Sequence, residues 1–393
     1  MYETLTFLSG DRTVEYHFGV EIARYAARDM HADGVRRVFL VSDADVYQRH
    51  GSGQVEQLQA RGLHVVVFIV PPGERSKSMP VVTEGLEKLF AGRVCRSDAV
   101  IAFGGGVVGN LAGTIAGLAF RGIRLYHFPT TYMAAMDSVL SFKQAVNGAT
   151  GKNQIGLYRQ PAAIYCDLDW LTTQRQRDID SGVLEMAKNC LAIEPEFIDE
   201  LEGHFTERDM PAVTHSASAW LLKASLECKS RVMMNDPHEK RGALVLEYGH
   251  TAGHAIEFNE LMHNEDLALA HGQCVGLGML IEGRISYERG WLTNEELSIH
   301  ARVIRGLTPD LTIPPTFDSA SYAEALAADN KQGYLSTSAG QVPAVLLKRL
   351  GSPAETGGIP LTATSVDEFV AAADWLRLNE HLTNSNSEME PVE

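Results

Sequence analysis

The stretch AVIAFGGGVVGN at 99–110 reads as a strand that runs into a glycine turn and then into a helix. Ala99 to Phe103 is an unbroken apolar run of strand length, suited to burial on both faces of a parallel sheet. Gly104, Gly105 and Gly106 let the backbone turn tightly and approach a ligand, and the helix N-terminus that follows favours a phosphate. The helix itself carries Ala112, Gly113, Ala116 and Gly117, so its surface is small-sided. The spacing is not GxGxxG, and a tight turn with close helix packing accounts for the loop equally well.

Working outward, the same alternation recurs on both sides. Val38 to Val41 and His64 to Val70 precede the loop as apolar runs, and Leu125 to Phe128 and Ala163 to Tyr165 follow it. Gln54 to Ala60 and Val81 to Ala91 have helical spacing between them. Strands alternating with helices predict an α/β domain built on a parallel sheet. From about Leu171 the pattern turns helical, with candidate helices at 182–191, 212–234, 249–257 and 272–289. Ala344 to Leu347 reads as a late strand and 365–377 as a last helix. The domains are therefore expected at 1–168 and 169–378, followed by a polar, acidic and frayed tail at 379–393.

Composition bounds the function. A chain of 393 residues with 45% apolar and 21% charged residues can bury a large core, which excludes a disordered or disulfide-stapled protein. Fifty acidic against 34 basic residues give a net charge of −16, so nucleic acid and anionic membrane surfaces are poor partners. An anionic small molecule needs a local basic pocket. The five cysteines form no CxxC and read as reduced thiols. The opening residues lack the basic and apolar regions of a signal peptide, and no apolar run of about 18 residues occurs, so a cytoplasmic protein is expected.

Three groups of residues carry candidate chemistry. His250 and His254 are four apart and share one face of a helix; His271 opens another helical segment, and Glu185 supplies a carboxylate. Two imidazoles and a carboxylate form a standard catalytic set for a divalent ion, although spacing alone does not bring three distant segments together. The glycine-punctuated segment from Asp137 to Gly156 carries Lys143, Asn147, Lys152 and Asn153, a composition suited to hydroxyls and a phosphate, or to a solvated loop. Lys229, Arg231, Lys240 and Arg241 form a further basic cluster that reads equally as a helix face. Asp43, after the strand at Val38 to Val41, could hold a ribose hydroxyl or cap the next helix.

In order, the blocks PPGERSK (71–77), GGGVVGNLAG (104–113), RGIRLYHFPTT (121–131), DSVLSFKQAVN (137–147), GKNQIG (151–156), LEMAKN (184–189), EYGHTAGHAIE (247–257), HG (271–272) and DNKQGY (329–334) resemble the sugar phosphate cyclases, the 3-dehydroquinate synthase-like family. The resemblance implies a Rossmann-like NAD-binding α/β domain over 1–168 and a mainly helical metal- and substrate-binding domain over 169–378. It implies NAD and a divalent metal, cobalt or zinc, as cofactors, and a homodimer acting on a small phosphosugar. Asn110 stands where dehydroquinate synthases have an aspartate, Glu247 where they have an asparagine, Ala243 where they have a substrate-carboxylate arginine, and Gln273 where HGE is common. The blocks at 137–147, 247–251 and 329–334 instead resemble the branch that forms 2-deoxy-scyllo-inosose from glucose 6-phosphate. Dehydroquinate synthesis, or a metal-dependent alcohol dehydrogenase of related fold, stays open as an alternative.

By the same resemblance, the metal ligands are Glu185, His250 and His271, and the catalytic residues are Lys143, Lys188, Glu247 and His254, with His254 the proton shuttle. Asp137, Lys152, Asn153, Lys229 and Lys331 bind substrate, and Arg121 reaches the phosphate from the neighbouring subunit. Gly105, Gly106 and Asn110 flank the dinucleotide pyrophosphate. Asp43, Glu74 and Lys77 meet the adenosine ribose side, and Thr130 and Thr131 lie further along the cofactor.

Overall fold

The structure is a computed structural model that describes residues 2–149, 151–205, 213–263, 269–329, 331 and 333–379. All of the expected acidic tail except Asn379 lies outside these residues, as do Asn330 and Gln332 of the DNKQGY block. The chain divides into two units, Met1–Arg175 with Ala212–Ser230, and Gln176–Pro211 with Arg231–Glu393.

The first unit holds a seven-stranded sheet. Its strands are β1 (Tyr2–Ser9), β2 (Arg12–Gly19), β3 (Arg37–Asp43), β4 (His64–Val70), β5 (Ala99–Gly104), β6 (Arg124–Pro129) and β9 (Ala163–Asp167). They lie in the order β1-β2-β9-β6-β5-β3-β4, parallel throughout except for the β1–β2 hairpin at one edge. Strands β7 (Lys143–Val146) and β8 (Ile155–Tyr158) form a separate antiparallel ribbon. The longer helices of this part of the chain are α1 (Ala23–Ala32), α2 (Ser52–Ala60), α3 (Met79–Ala91) and α4 (Gly106–Leu118).

The two sheet faces follow from strand alternation. Val38, Leu40, Ile101 and Phe103 pack with Ala23, Ala26, Ala27 and Met30 of α1 on one side. Phe39, Val41, Val100 and Ala102 pack with Leu111 and Ile115 of α4 on the other. The small side chains of α4 are explained by its neighbours: a Cβ on Gly113 would fall 2.0 Å from Gln144 Oε1, and one on Gly117 2.6 Å from Leu157 Cδ1. The β1–β2 hairpin is an addition to the expected sheet. Its period-two pattern around Gly10, which has φ +62°, was present in the sequence.

The second unit is mainly helical, with α5 (Gln176–Ala192), α6 (Ile198–Phe205), α8 (His250–His263), α9 (His271–Glu288), α10 (Asn294–Leu307), α11 (Ser319–Ala327) and α12 (Val366–Leu378). Between α6 and α8 comes α7 (His215–Met233), which corrects the expected domain boundary. Up to Ser230 it belongs to the first unit, because Tyr132 Oη meets Ser218 Oγ at 2.5 Å and Ser225 Oγ donates to Met136 O at 2.8 Å. The first unit also extends to Arg175 rather than 168. The expected late strand at Ala344–Leu347 is two strands: β10 (Gln341–Ala344) pairs with β13 (Thr362–Ser365), and β11 (Leu347–Arg349) with β12 (Ser352–Pro353). The run is apolar because Val345 and Leu346 are buried where the chain changes partner. No described helix is long and apolar enough to cross a membrane.

Candidate active site

In the first unit, the glycine turn between β5 and α4 lies against the end of β6. Thr130 N donates to Gly104 O at 3.1 Å, and a Cβ on Gly105 would meet Thr131 Cγ2 at 3.3 Å. The buried Thr130 hydroxyl has no hydrogen-bond partner among the described residues. A bare backbone turn at a helix N-terminus beside an orphaned hydroxyl fits a dinucleotide that brings its own hydrogen-bonding groups.

Other expected cofactor residues are already engaged. Asn110 donates from Nδ2 to Gly106 O at 3.0 Å and accepts Ala145 N at 2.9 Å, so its amide ties α4 to β7. Thr131 Oγ1 accepts Ala134 N, capping the short helix Tyr132–Met136. Asp43 accepts Val46 N at 2.9 Å, the capping role the sequence left open, and burial raises its carboxyl above the ordinary value.

Glu74 and Lys77 lie on the turn before α3. Lys77 Nζ is 3.7 Å from Glu74 Oε1 and donates to Asn153 Oδ1, while burial lowers the ammonium's pKa. Asp137 and the buried Lys229 pair at 2.6 Å, with Lys229 Nζ also donating to Asp137 O at 3.1 Å. Lys143 opens β7 and Lys152 lies in the loop after it, both exposed. Arg121 is exposed on a left-handed kink, with φ +53° at Phe120 and +69° at Arg121.

In the second unit, α5, α8 and α9 bring together what spacing could not. Glu185 Oε1 lies 3.6 Å from His250 Nε2 and 3.7 Å from His271 Nε2. His250 Nδ1 lies 3.1 Å from Tyr248 O, and His271 Nδ1 3.2 Å from Glu257 Oε2. Both partners only accept, so each Nδ1 carries its proton and each Nε2 keeps a lone pair facing Glu185. A tetrahedral ion with bonds of about 2.1 Å separates its ligands by about 3.4 Å, which these distances fit. Glu257 and the Tyr248 carbonyl hold the two rings against rotation.

His254 joins this cluster, its ring centroid 5.3 Å from that of His250 and 5.6 Å from that of His271. Ligand atoms of the three histidines all lie within 4.8 Å of one another. Burial, then the neighbouring imidazoles His250 and His271, lower His254 well below the ordinary histidine value and keep it neutral. The buried Lys188 Nζ donates to Glu185 Oε2 at 2.6 Å. Lys331 Nζ sits 3.0 Å from Asp329 Oδ2 and 3.5 Å from Glu247 Oε2. Burial lowers the Lys331 pKa, but Glu247 and Asp329 outweigh it and raise the value overall.

Some participants were missed in the sequence. Glu257 stands seven residues after His250 on the same helix face, so its position was readable from spacing. Glu282, on α9, gave no such signal. It is fully buried and accepts Gly249 N at 2.6 Å and Ala252 N at 3.2 Å, holding the start of α8. Tyr248 is fixed from behind by His300, whose Nδ1 donates to Glu296 O at 2.8 Å and whose Nε2 meets Tyr248 Oη at 2.8 Å.

Comparison with known proteins identifies the family. The family profile of the 3-dehydroquinate synthase N-terminal region matches residues 67–181, and that of its C-terminal region residues 182–332. A 2-deoxy-scyllo-inosose synthase of Streptomyces kanamyceticus is 35% identical over 95% of this chain and 94% of its own length. One from Niallia circulans is 31% identical over 92% of this chain and 96% of its own length. A crystal structure of 2-deoxy-scyllo-inosose synthase complexed with carbaglucose-6-phosphate, NAD+ and Co2+ superposes with a TM-score of 0.87 at 29% identity, covering 94% of this chain and 99% of that one. Glycerol dehydrogenase from Schizosaccharomyces pombe, 14% identical with a TM-score of 0.67, shares the fold alone. The chain belongs to the 3-dehydroquinate synthase family of sugar phosphate cyclases.

Proposed function

We propose that this chain converts D-glucose 6-phosphate into 2-deoxy-scyllo-inosose and inorganic phosphate, as a carbon–oxygen lyase. The observation that carries the reading is the convergence of two imidazole lone pairs on Glu185, with Lys188 on its second oxygen and His254 beside both rings. The relatives that match nearly the whole chain carry that activity in their names, and one was crystallised with a phosphosugar analogue, NAD+ and Co2+. Ala243, in place of the arginine that dehydroquinate synthases use for a substrate carboxylate, favours a substrate without one.

When bound, NAD supplies a reversible hydride acceptor at C4 of the sugar, and a divalent cation, cobalt or zinc, polarises the oxygen there. Glu185, His250 and His271 would hold the cation, and the Thr130 hydroxyl and the turn at Gly105 and Gly106 would face the dinucleotide. His254, neutral and lacking a hydrogen-bond partner among the described residues, moves the proton released from C5. Loss of that proton and of the C6–O bond releases phosphate, whose charge is met by Lys152 and Lys229. Lys331, kept protonated by Glu247 and Asp329, stabilises developing oxyanions, and Glu247, Asp137 and Asn153 hold hydroxyls. Lys143 and Lys188 add positive charge where oxygen becomes negative. In a homodimer, Arg121 reaches the phosphate held by a second copy.

The reaction is redox-neutral overall, which makes it separable from dehydrogenation. Incubation with glucose 6-phosphate, NAD+ and cobalt is expected to release phosphate and form a carbocyclic ketone without net NADH. NADH accumulating without phosphate would identify a dehydrogenase. Turnover of a heptulosonate phosphate alone would return the reading to dehydroquinate synthesis.

A further inference from the structure

Asn147, assigned above to neither the cofactor nor the substrate set, is the point where three segments of the first unit are tied together. It follows β7, and its backbone N donates to Lys77 O at 2.9 Å in a parallel bridge with Ser78. Its side-chain Nδ2 donates to Glu74 Oε1 at 2.9 Å. Its Oδ1 accepts Asn153 N at 3.0 Å. Asn153 itself sits at φ +57°, a left-handed conformation that needs local support, and its Oδ1 accepts Lys77 Nζ. The Asn147 amide thus uses its donor side on the Glu74–Lys77 turn and its acceptor side on the loop that carries Lys152 and Asn153.

We infer that Asn147 is a positioning residue that couples cofactor binding to phosphosugar binding. The inference rests on the assignment above of Glu74 and Lys77 to the cofactor and of Lys152 and Asn153 to the substrate. An asparagine suits the place because its amide reaches the Glu74 carboxylate with a donor and the Asn153 amide with an acceptor on opposite sides of one short side chain. When a cofactor orders the Glu74–Lys77 turn, the network presents Lys152 and Asn153 already ordered, so the second ligand meets a smaller ordering cost. By linkage the effect is reciprocal.

The test is calorimetric binding of NAD+ to the cobalt-loaded enzyme with and without saturating inorganic phosphate, and of phosphate with and without NAD+. In the wild-type protein each ligand is expected to tighten the other by the same factor, about fivefold or more. In Asn147→Ala that factor falls to about one, while both ligands still bind singly. Asn147→Asp sets a carboxylate against Glu74 and also loses the coupling. Adding Glu74→Gln restores a donor between the two side chains, and the double variant regains the coupling. Unchanged coupling in Asn147→Ala, or failure of the double variant to recover what Asn147→Asp loses, overturns the inference. So does independent binding of NAD+ and phosphate to the wild-type protein, a result that leaves glucose 6-phosphate turnover untouched. Failure of the wild-type protein to bind NAD+ at all overturns instead the functional reading on which the inference rests.

Discussion

An imidazole can ligate an ion only through the nitrogen whose proton lies elsewhere, so the atoms that touch Nδ1 of His250 and His271 decide what Nε2 can do. Replacing Glu257 with Ala removes the acceptor that orients His271, and metal affinity is expected to fall by about 10–100-fold, read by competition with a chromophoric chelator. Glu185→Gln or His271→Ala should abolish both bound metal and phosphate release; full activity without metal in either variant would refute the ligand assignment. Glu282 gives a pH signature. Burial pushes its carboxyl up to about 8, against the two backbone N–H groups that stabilise the charged form. Because the folded state prefers the proton more than the unfolded chain does, this contribution to stability is complete below about pH 4.3 and is lost as pH rises through 8. Denaturant titrations should therefore show wild-type stability falling by up to a few kcal/mol between pH 5 and 8 relative to Glu282→Gln. At this scale the pairing of His250 with His254 was legible, since four residues is one helical turn. The arrival of Glu185 and His271 beside them was not, because it depends on how α5, α8 and α9 pack rather than on any local spacing.

Those helices meet through glycine. A Cβ on Gly278 would fall 1.9 Å from Gly249 O, and one on Gly272 2.0 Å from Ser181 O, so α9 lies against α8 and α5 backbone to backbone. Gly278→Ala is expected to cost about 1–3 kcal/mol by thermal unfolding and to weaken metal binding along with stability. Gly203→Ala, on the exposed side of α6 with nothing within 4 Å of the added carbon, should instead stabilise by up to about 1 kcal/mol. Strands β3, β5, β6 and β9 could be read directly from sequence, because burial on both faces writes them as continuous apolar runs, and β4 at the sheet edge is an apolar run only partly buried. The β1–β2 hairpin is written as alternation rather than as an apolar run, because it lies at the sheet edge with one face partly exposed. The run at Ala344–Leu347 misled for a physical reason: a buried stretch stays apolar even where one strand ends and another begins.

Across the whole molecule, the two chemistries are divided. Every candidate metal ligand lies in the second unit and every candidate dinucleotide contact in the first. Chelation should therefore stop phosphate release while leaving NAD+ affinity within about twofold of its metal-loaded value, a comparison that titration calorimetry makes directly. A large loss of NAD+ affinity on chelation would show that the two sites are not energetically separate. The division itself was implied by the order of the sequence blocks, whereas the allocation of α7 was not, since a helix reads the same in sequence whichever unit it packs against. The return of the chain to the first unit has a consequence for its birth on the ribosome. Emergence of β9 and Arg175 leaves that unit without the helix that accepts Tyr132, Met136 and Asp137, and the missing piece is complete only at Ser230, fifty-five codons later. At about 5–20 residues per second, a nascent first unit waits some 3–11 seconds with part of its core exposed before translation itself supplies the cover.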